Sequence, residues 1–241
     1  MRIVGFILTR NNKNLVMKAI SKIPSCINDF FISDDNSNDG IEALCRAENI
    51  GIYKNYRQNN GYGSNVKNAL KVAFEEFKAD YAVEIHGDGA QFDPHATFDA
   101  INIINNKETD LILGSRFLNL KENLKLGYPF SRMIPNLIVS NIEKILLNIN
   151  ISDFHSGFRV YSKKLYSVLN VEKFSDDYLF SFEVIIFSKE NKLVIDQVPV
   201  LCDYKNEHTS HKLFGKNSAF TYQLKTFKLI FLYFKRMLRK D

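Results

Sequence analysis

Apolar and polar stretches alternate regularly through the first half of the chain. Residues 2–8 form an apolar run with β-branched residues, which predicts a buried strand. Further strands are predicted at 30–33, 50–55, 81–86 and 110–114, and the segments between them place apolar residues at helical spacing. Strands that alternate with helices in this way predict an α/β fold, with a mostly parallel sheet covered by helices on both faces.

The alternation weakens after Gly114. Helices are predicted at 133–149, 163–169 and 178–190, and strands at 156–160 and 193–200. No linker rich in proline or glycine interrupts the pattern. We therefore expect one domain over residues 1–217, followed by a C-terminal helix within 218–241.

Composition and charge narrow the class of protein. Hydrophobic residues make up 45% of the 241 residues and charged residues 24%, values that exclude a disordered or disulfide-built chain. The net charge is +5, but residues 205–241 carry nine basic and two acidic residues, +7, which leaves −2 for the rest. Three separated cysteines (Cys26, Cys45 and Cys202) are expected to be reduced thiols. Neither a signal peptide nor a membrane-spanning run is apparent, so a cytoplasmic location is expected.

Two polar clusters follow predicted strands. The first reads SDDNSNDG from Ser33, and the second reads HGDGAQFDP from His86. Ligands of open α/β sheets bind at the carboxyl ends of the strands, where both clusters lie. Carboxylates at that edge can accept hydrogen bonds from a base or a ribose, and hard oxygen ligands suit Mg²⁺ or Mn²⁺. Taken singly, each cluster is equally consistent with an ordinary capped turn.

Five sequence blocks together resemble a known family. The blocks ISDDNSNDG, NNGYGSNVKNAL, HGDGAQFDP, GSRF and SDFHSGFRVYS occur in this order. They are similar to those of the family-2 glycosyltransferases of the GT-A fold, and most similar to dolichol-phosphate mannose synthases and bacterial polyprenyl-phosphate sugar transferases. The resemblance extends from Arg2 to about Lys216.

The resemblance implies a nucleotide-sugar site with a divalent metal, Mg²⁺ or Mn²⁺. It implies Asp88 and Gln91 as metal ligands, although His86 stands where the family usually has an aspartate and Ala90 is an additional residue. Asp93 is the alternative ligand. The nucleotide-sugar-binding positions implied by the family motifs are Thr9, Asn11, Asp34, Asp35, Asp39, Gly61, Gly63 and Asp88.

The same resemblance implies an acceptor site rich in cations. The matching positions are Arg116, Arg132, Asn136, Arg159, Ser210 and Lys212. Each of these cations has a plain alternative role as a solvated surface charge. The implied catalytic residues are Asp88, Arg116 and Asp177. A phosphate acceptor needs no general base, whereas a hydroxyl acceptor would use Asp176 or Asp177. Glu183 is expected to hold the loop before its helix.

The basic C-terminal segment interleaves cations with aromatic residues. Residues 218–240 predict a helix with an apolar side and a cationic side, as in helices that lie in the interface of an anionic membrane. The alternative is a helix packed on the domain or in a homodimer interface. Nucleic-acid binding is not expected, because no recognition motif accompanies the charge.

These features predict an inverting glycosyltransferase. It would move a sugar from a nucleotide-diphosphate sugar to a polyprenyl phosphate, peripherally bound at the cytoplasmic face of the membrane and serving cell-envelope polysaccharide synthesis. Two alternatives remain. One is transfer to a glycan hydroxyl, and the other is a non-catalytic GT-A domain that binds a nucleotide or a partner.

Overall fold

A computed structural model describes residues 1–55, 61–87, 93–205 and 218–239. Within these ranges, seven strands form one sheet in the order β3-β2-β1-β4-β6-β5-β7. Every neighbouring pair is parallel except those made by β6, which is antiparallel to both β4 and β5. The strands are β1 (Ile3–Thr9), β2 (Asp29–Asp34), β3 (Ile52–Lys54), β4 (Tyr81–His86), β5 (Leu111–Ser115), β6 (Arg159–Ser162) and β7 (Ile195–Pro199).

Nine α-helices occur in the described ranges. A π-helical turn, Val72–Glu76, continues α3, and a short 3₁₀ turn covers Val171–Lys173. The helices are α1 (Lys13–Ile20), α2 (Ile41–Ala47), α3 (Tyr62–Lys71), α4 (Pro94–Asn106), α5 (Leu120–Lys125), α6 (Phe130–Leu147), α7 (Lys163–Val168), α8 (Leu179–Glu190) and α9 (Ala219–Met237).

The central strand β1 is buried along its whole length because helices cover both sheet faces. Side chains of a strand alternate between the two faces. Phe6 therefore joins a core with residues of α3 and α8, whereas Ile7 joins a second core with residues of α1, α2 and α4. The mostly parallel α/β prediction is confirmed. The short helix α5 was not predicted, and β6 begins at Arg159 rather than at 156.

The C-terminal helix α9 packs on α8 and contributes to the first core. Ile230, Tyr233 and Thr226 are buried there. On the outer side of the same helix, Phe220, Leu224 and Phe231 are exposed. The packed-helix alternative thus describes one side of α9, and the interface-helix prediction is compatible with another. The expected boundary at residue 217 does not mark the edge of the hydrophobic core.

Candidate active site

The carboxyl ends of four parallel strands meet along one edge of the sheet. They end at Thr9, Asp34, His86 and Ser115. Because β6 runs in the opposite direction, the segment that precedes it, 153–158, lies at this same edge. The fold therefore brings the first, second and fourth polar strand ends together with a loop that is distant in sequence.

Asp35 is the best-formed ligand group at this edge. It is buried, and Asn55 Nδ2 donates a hydrogen bond of 3.0 Å to its Oδ1. Arg10 Nη1 lies 3.4 Å from Oδ2 and approaches from the solvent side. Burial raises the pKa of Asp35, while the Asn55 hydrogen bond, the Arg10 charge and the Gly61 amide lower it in part. A carboxylate fixed in this way can accept hydrogen bonds from a base or a ribose.

Two neighbouring carboxylates of the same loop are used to build it. Asp34 accepts hydrogen bonds from both the hydroxyl and the backbone N–H of Ser37. Asp39 accepts from the backbone N–H of Lys13 at 2.7 Å and of Ile41 at 3.2 Å. Asp39 thereby joins the first turns of α1 and α2. Both carboxylates therefore hold this loop in place, and direct contact with a nucleotide sugar stays a prediction for them.

The end of β1 presents a hydroxyl without an internal partner. Thr9 Oγ1 is buried and has no hydrogen-bond partner among the described residues. Beside it, Gly87 lies so close to β1 that an added Cβ would be 2.5 Å from the carbonyl oxygen of Leu8. Asn11 is engaged with the next loop, since its Oδ1 accepts from the Asn38 N–H at 2.9 Å. Of Thr9 and Asn11, Thr9 is therefore the one whose side chain has no hydrogen bond among the described residues.

The glycine-rich turn at Gly61 and Gly63 packs closely against the backbone of residues 175–177. An added Cβ on Gly61 would lie 2.5 Å from the carbonyl oxygen of Asp176, and one on Gly63 would lie 2.6 Å from that of Asp177. Lys67, buried one turn further on, holds Asp176 through a 2.8 Å ion pair. The resemblance implied that these glycines make room for the nucleotide. In the structure they make room for residues 175–177, although the Gly61 amide also hydrogen-bonds Asp35.

A buried polar network lies beneath the end of β4. Glu84 accepts hydrogen bonds from Tyr62 and, at 2.7 Å, from Tyr161, and its Oε1 lies 3.4 Å from His86 Nε2. Arg159 faces Glu84 across the antiparallel β4–β6 pair. Burial opposes ionisation of Glu84, but the His86 hydrogen bond and the Arg159 charge outweigh it and lower the pKa of the carboxyl.

Arg159 also belongs to this buried network. The side chain is buried, and its Nη2 donates to the Phe154 carbonyl at 3.4 Å. Its charge compensates Glu84, which a low-dielectric site requires. His86 Nε2 lies 3.1 Å from the Gly157 carbonyl oxygen and joins β4 to the 153–158 segment. Arg159 is therefore buried beneath the edge, and binding of an acceptor phosphate by this residue stays a prediction.

The metal ligands implied by the resemblance, Asp88 and Gln91, lie outside the described residues. The rest of the chain that the structure describes contains no group of three or more His, Cys, Asp or Glu side chains able to hold a metal ion. Asp93 does not fit the alternative ligand role, because its two oxygens accept the backbone N–H groups of His95 and Leu201 at 3.0 and 2.9 Å. These residues alone do not form a cation site.

Arg116 is committed to an internal ion pair. Its Nε and Nη2 donate to the two oxygens of buried Asp153 at 2.6 and 2.9 Å, and its guanidinium lies over the Tyr128 ring. Burial alone would raise the pKa of Asp153, but the Arg116 charge outweighs burial, so the pKa of Asp153 is lowered. Asp153 thus occupies two of the three guanidinium nitrogens, and binding of acceptor phosphate by Arg116 stays a prediction. Only Nη1 is directed elsewhere, 3.4 Å from Tyr204 Oη.

The other residues expected to bind the acceptor differ in their surroundings, and two of them lie outside the described residues. Asn136 donates from Nδ2 to Tyr128 Oη at 3.1 Å, which ties α6 to the aromatic residues around Arg116. Arg132 lies on α6 one turn before Asn136 and is partly exposed. Ser210 and Lys212 lie outside the described residues. Among the acceptor candidates that the structure describes, Arg132 is therefore the most exposed cation.

The two carboxylates proposed as a base are both paired with lysines. Asp176 pairs with Lys67, and Asp177 Oδ2 lies 2.6 Å from Lys225 of α9. Asp177 Oδ1 also accepts the Leu179 N–H at the start of α8. Glu183 accepts from the Ser175 N–H at 2.7 Å, in agreement with its expected structural role. Both carboxylates are thus engaged in ion pairs that hold the segment before α8, which argues against a general-base role for Asp176 or Asp177.

Several important residues were missed by sequence reasoning. Asn55, which orients Asp35, follows a short strand and carries no motif of its own. Glu84 lies within an otherwise apolar strand, and a charge in a buried strand was the signal that a partner was needed. Tyr62 and Lys67 lie within the glycine-rich block NNGYGSNVKNAL, but nothing in the block shows that they bond to distant residues.

The sheet order, the single antiparallel strand and the polar carboxyl edge define a GT-A glycosyltransferase fold. Residues 9–169 match the family described as glycosyl transferase family 2, and the chain belongs to this family.

Curated relatives agree with the family. The chain is 34% identical over 149 residues to a UDP-N-acetylglucosamine–dolichyl-phosphate N-acetylglucosaminyltransferase of Methanococcus voltae. The aligned region covers 62% of this chain and 58% of that protein. It is 25% identical over 199 residues to an uncharacterised protein of Methanocaldococcus jannaschii, covering 83% and 78% of the two chains.

Solved structures support the fold. Glucosyl-3-phosphoglycerate synthase of Mycobacterium tuberculosis in complex with Mn²⁺, UDP and glucosyl-3-phosphoglycerate has a TM-score of 0.64 at 16% identity, covering 83% of this chain and 70% of that one. The same enzyme with phosphoglyceric acid has a TM-score of 0.66 at 16% identity, covering 88% and 73%. At this identity the likeness is one of fold.

Proposed function

We propose that this protein transfers a sugar, with inversion, from a nucleotide-diphosphate sugar to a polyprenyl phosphate at a membrane surface. The observation that carries the proposal is the polar cluster at the carboxyl edge of the sheet. There Asp35 is oriented by Asn55 and the Gly61 amide, beside the Thr9 hydroxyl, which has no hydrogen-bond partner among the described residues. The activity of the Methanococcus voltae relative supports the donor and acceptor classes.

The state of the carboxylates favours a phosphate acceptor. A hydroxyl must lose its proton as it attacks, whereas a phosphate is already ionised. Asp176 and Asp177 are both held by lysines, and Asp93 has both oxygens occupied. In the proposed reaction an acceptor phosphate oxygen forms a bond to C1 of the sugar. The bond from C1 to the diphosphate oxygen breaks on the opposite face, and the nucleoside diphosphate leaves.

The residues at the carboxyl edge of the sheet have different roles in the proposed reaction. Asp35 holds the nucleoside, and Asp34 and Asp39 keep its loop in place. The Arg116–Asp153 pair and the Glu84 network fix the 153–158 segment against the strand ends. A bound divalent cation, Mg²⁺ or Mn²⁺, would supply charge neutralisation of the diphosphate. Its proposed ligands are Asp88 and Gln91, and the Mn²⁺ and UDP named with the Mycobacterium tuberculosis structure support a divalent ion.

Membrane association through α9 belongs to the same proposal. No helix within the described ranges is both long and apolar enough to cross a bilayer. The exposed side of α9 combines apolar residues with cations, including Lys228 and Lys235. Such a helix binds an anionic membrane surface from one side.

The direct test is a transfer assay with a panel of UDP- and GDP-sugars, in Mg²⁺ or Mn²⁺, and with a polyprenyl phosphate or glycan acceptor. Mass spectrometry should detect a polyprenyl-phosphate sugar, and NMR of the product should show an anomeric configuration opposite to that of the donor. Asp177→Asn should leave the rate nearly unchanged. Product formed only on a glycan, with loss in Asp177→Asn, would establish the hydroxyl alternative. Nucleotide binding without turnover on any acceptor would instead indicate a binding module.

A further inference from the structure

Arg10 and Asp35 face each other at the carboxyl ends of the neighbouring strands β1 and β2. Arg10 Nη1 lies 3.4 Å from Asp35 Oδ2, and the Arg10 side chain is 56% exposed, whereas that of Asp35 is 5% exposed. One partner of this ion pair is therefore a buried carboxylate, and the other is a long cationic side chain in solvent. The cation can move while the carboxylate stays in place.

The backbone positions of the two residues are fixed relative to each other. The Asp35 N–H donates to the Thr9 carbonyl at 2.9 Å. Asn11, directly after Arg10, and Asn36, directly after Asp35, both adopt the left-handed conformation, with φ of 52° and 56°. Asparagine tolerates this conformation better than most residues. Each strand is thus followed by one residue and then a turn, which places Arg10 and Asp35 side by side at the edge.

The contact between Arg10 and Asp35 is long for an ion pair. At the amino ends of the same two strands, Arg2 donates from two nitrogens to Asp29 at 2.9 and 3.2 Å. A charge-assisted hydrogen bond normally measures about 2.7–2.9 Å. A single contact of 3.4 Å from an exposed guanidinium is screened by solvent, so opening this pair requires little free energy.

A ligand group that binds Asp35 competes with Arg10 for the same carboxylate. Asn55 Nδ2 holds Oδ1 at 3.0 Å, and Oδ2 is the oxygen that Arg10 contacts. A nucleoside can donate N–H or O–H groups to a carboxylate, but it is neutral and does not replace the positive charge. Because the Arg10 charge lowers the pKa that burial raises, loss of this cation alone disfavours the ionised carboxylate.

Arg10 stands between the Asp35 loop and the end of β4. In the sheet β1 lies between β2 and β4, and adjacent strands are about 4.8 Å apart. Gly87, directly after β4, donates its N–H to the Leu8 carbonyl at 2.9 Å. From there the chain continues to Asp88, the proposed ligand of the cation that neutralises the diphosphate. An extended arginine side chain is longer than one strand spacing, so Arg10 can serve either side of β1.

We propose that Arg10 is an exchangeable counter-ion that selects nucleoside diphosphates over nucleosides. It pairs with Asp35 as the structure shows. When a nucleoside diphosphate binds, the nucleoside donates to Asp35, and the guanidinium of Arg10 pairs with a phosphate oxygen, for which it is well suited. Both charges then keep a partner, which a ligand without phosphates does not provide. The proposal deepens the donor binding of the proposed function and rests on it.

The experiment measures the binding of uridine, UMP, UDP, guanosine, GMP and GDP to the full-length protein by calorimetry, with Mg²⁺ and again with EDTA. A pH of about 8 keeps carboxyl groups ionised. In Arg10→Ala, the dissociation constant of whichever diphosphate the wild type prefers should rise roughly 10- to 100-fold, because a charged hydrogen bond is lost. That of the matching nucleoside should stay the same or fall, because the competing cation is gone. Arg10→Lys should retain part of the preference, since it keeps the charge without the fork.

Arg2→Ala is the matched control, since Arg2 pairs with Asp29 at the opposite ends of the same two strands. It makes the same charge change and should leave all six dissociation constants unaltered. Arg10→Gln, which keeps the length of the side chain, gives the same comparison if Arg10→Ala melts early. Equal weakening of nucleoside and diphosphate would overturn the proposal, because Arg10 would then only orient Asp35. Unchanged diphosphate affinity without the Arg10 charge would overturn it as well.

The transfer assay separates this proposal from the proposed function. Transfer to a polyprenyl phosphate by a protein whose preference for diphosphates does not depend on Arg10 would reject the counter-ion and retain the reaction. A preference that depends on Arg10, without transfer to any prenyl phosphate, would reject the reaction and support the counter-ion.

Discussion

At the scale of single residues, the edge contains two kinds of charged group. Asp35 is buried and oriented by Asn55, with the exposed Arg10 beside it. Arg116 is instead paired with buried Asp153, and Arg159 is buried opposite Glu84 in the sheet. Burial of an ion pair requires that each charge keep its partner, because an unpaired buried charge is strongly unfavourable. The two kinds of residue should therefore respond differently to substitution.

Asp35→Asn should weaken nucleotide-sugar binding with little effect on folding. The change preserves shape but removes the charge of an acceptor, and hydrogen bonds to charged groups are worth about 1.5–3 kcal/mol. The dissociation constant measured by calorimetry should rise roughly 10- to 100-fold. Asp99→Asn, at an exposed position of α4, is the matched control. Unaltered nucleotide affinity in Asp35→Asn would remove Asp35 from the binding site.

Arg116→Ala should destabilise the protein by about 3–5 kcal/mol at neutral pH, because Asp153 is left buried and unpaired. The pKa of Asp153 is lowered in the wild type, so its ionisation stabilises the fold above the ordinary carboxyl range, and this contribution is lost as pH falls through the lowered pKa. In the variant, burial without Arg116 should raise that pKa.

The pH dependence provides the check on this prediction. The difference in melting temperature between wild type and Arg116→Ala should be largest near neutral pH and should shrink toward about pH 4, as Asp153 becomes protonated in the variant. Arg116→Ala with Asp153→Asn should recover part of the stability at neutral pH. A difference that is constant with pH would show that the guanidinium stabilises the fold through packing alone.

At the scale of elements, α9 has three sides with different roles. One side packs in the core through Thr226, Ile230 and Tyr233, and another is apolar and exposed. Between them lies the basic side, where Lys225 also pairs with Asp177 before α8. This division explains why the sequence suited both an interface helix and a packed helix.

Removal of residues 216–241 should destabilise the domain. The truncation uncovers the core side of α8 and removes two large buried side chains, each worth about 1.5–3 kcal/mol. The melting temperature should fall on the order of 10 °C for a chain of this size. Removal of residues 238–241 alone should have little effect. An unchanged melting temperature after removal of residues 216–241 would show that α9 is dispensable for folding.

At the scale of the whole molecule, the charge is concentrated at one end of the sequence. Residues 205–241 carry +7 and the preceding residues −2, and the exposed cations of α9 lie beside an apolar side. A surface of this kind binds anionic lipid with a salt-dependent Coulomb part and a salt-resistant apolar part.

Lys228→Glu combined with Lys235→Glu should reduce binding to anionic vesicles about 30-fold or more at low salt, because each cation near the surface contributes about 1 kcal/mol. The difference from wild type should shrink as salt is raised, since screening weakens the Coulomb part in both proteins. Lys18→Glu with Lys22→Glu, on and just after α1, makes the same charge change elsewhere. Equal loss in both double variants would indicate an effect of net charge rather than of α9.

The sequence by itself determined the strand and helix order, because apolar periodicity is local and the sheet is buried on both faces. It also located the Asp34–Asp39 loop and predicted the amphipathic character of α9. The family motifs were recognisable because a strand end followed by a polar loop is contiguous in the chain.

Only the tertiary structure decided which charges are free to meet a ligand. Arg116 and Asp153 are 37 residues apart, Glu84 and Tyr161 are 77 apart, and Lys67 and Asp176 are 109 apart. No local pattern links such positions, since their pairing follows from strand order and from the antiparallel course of β6. The exposure of Ile134, Ile138 and Ile142 on the outer side of α6 was likewise undetermined by sequence. An amphipathic period shows that a helix has two sides, but only packing decides which of them faces the core.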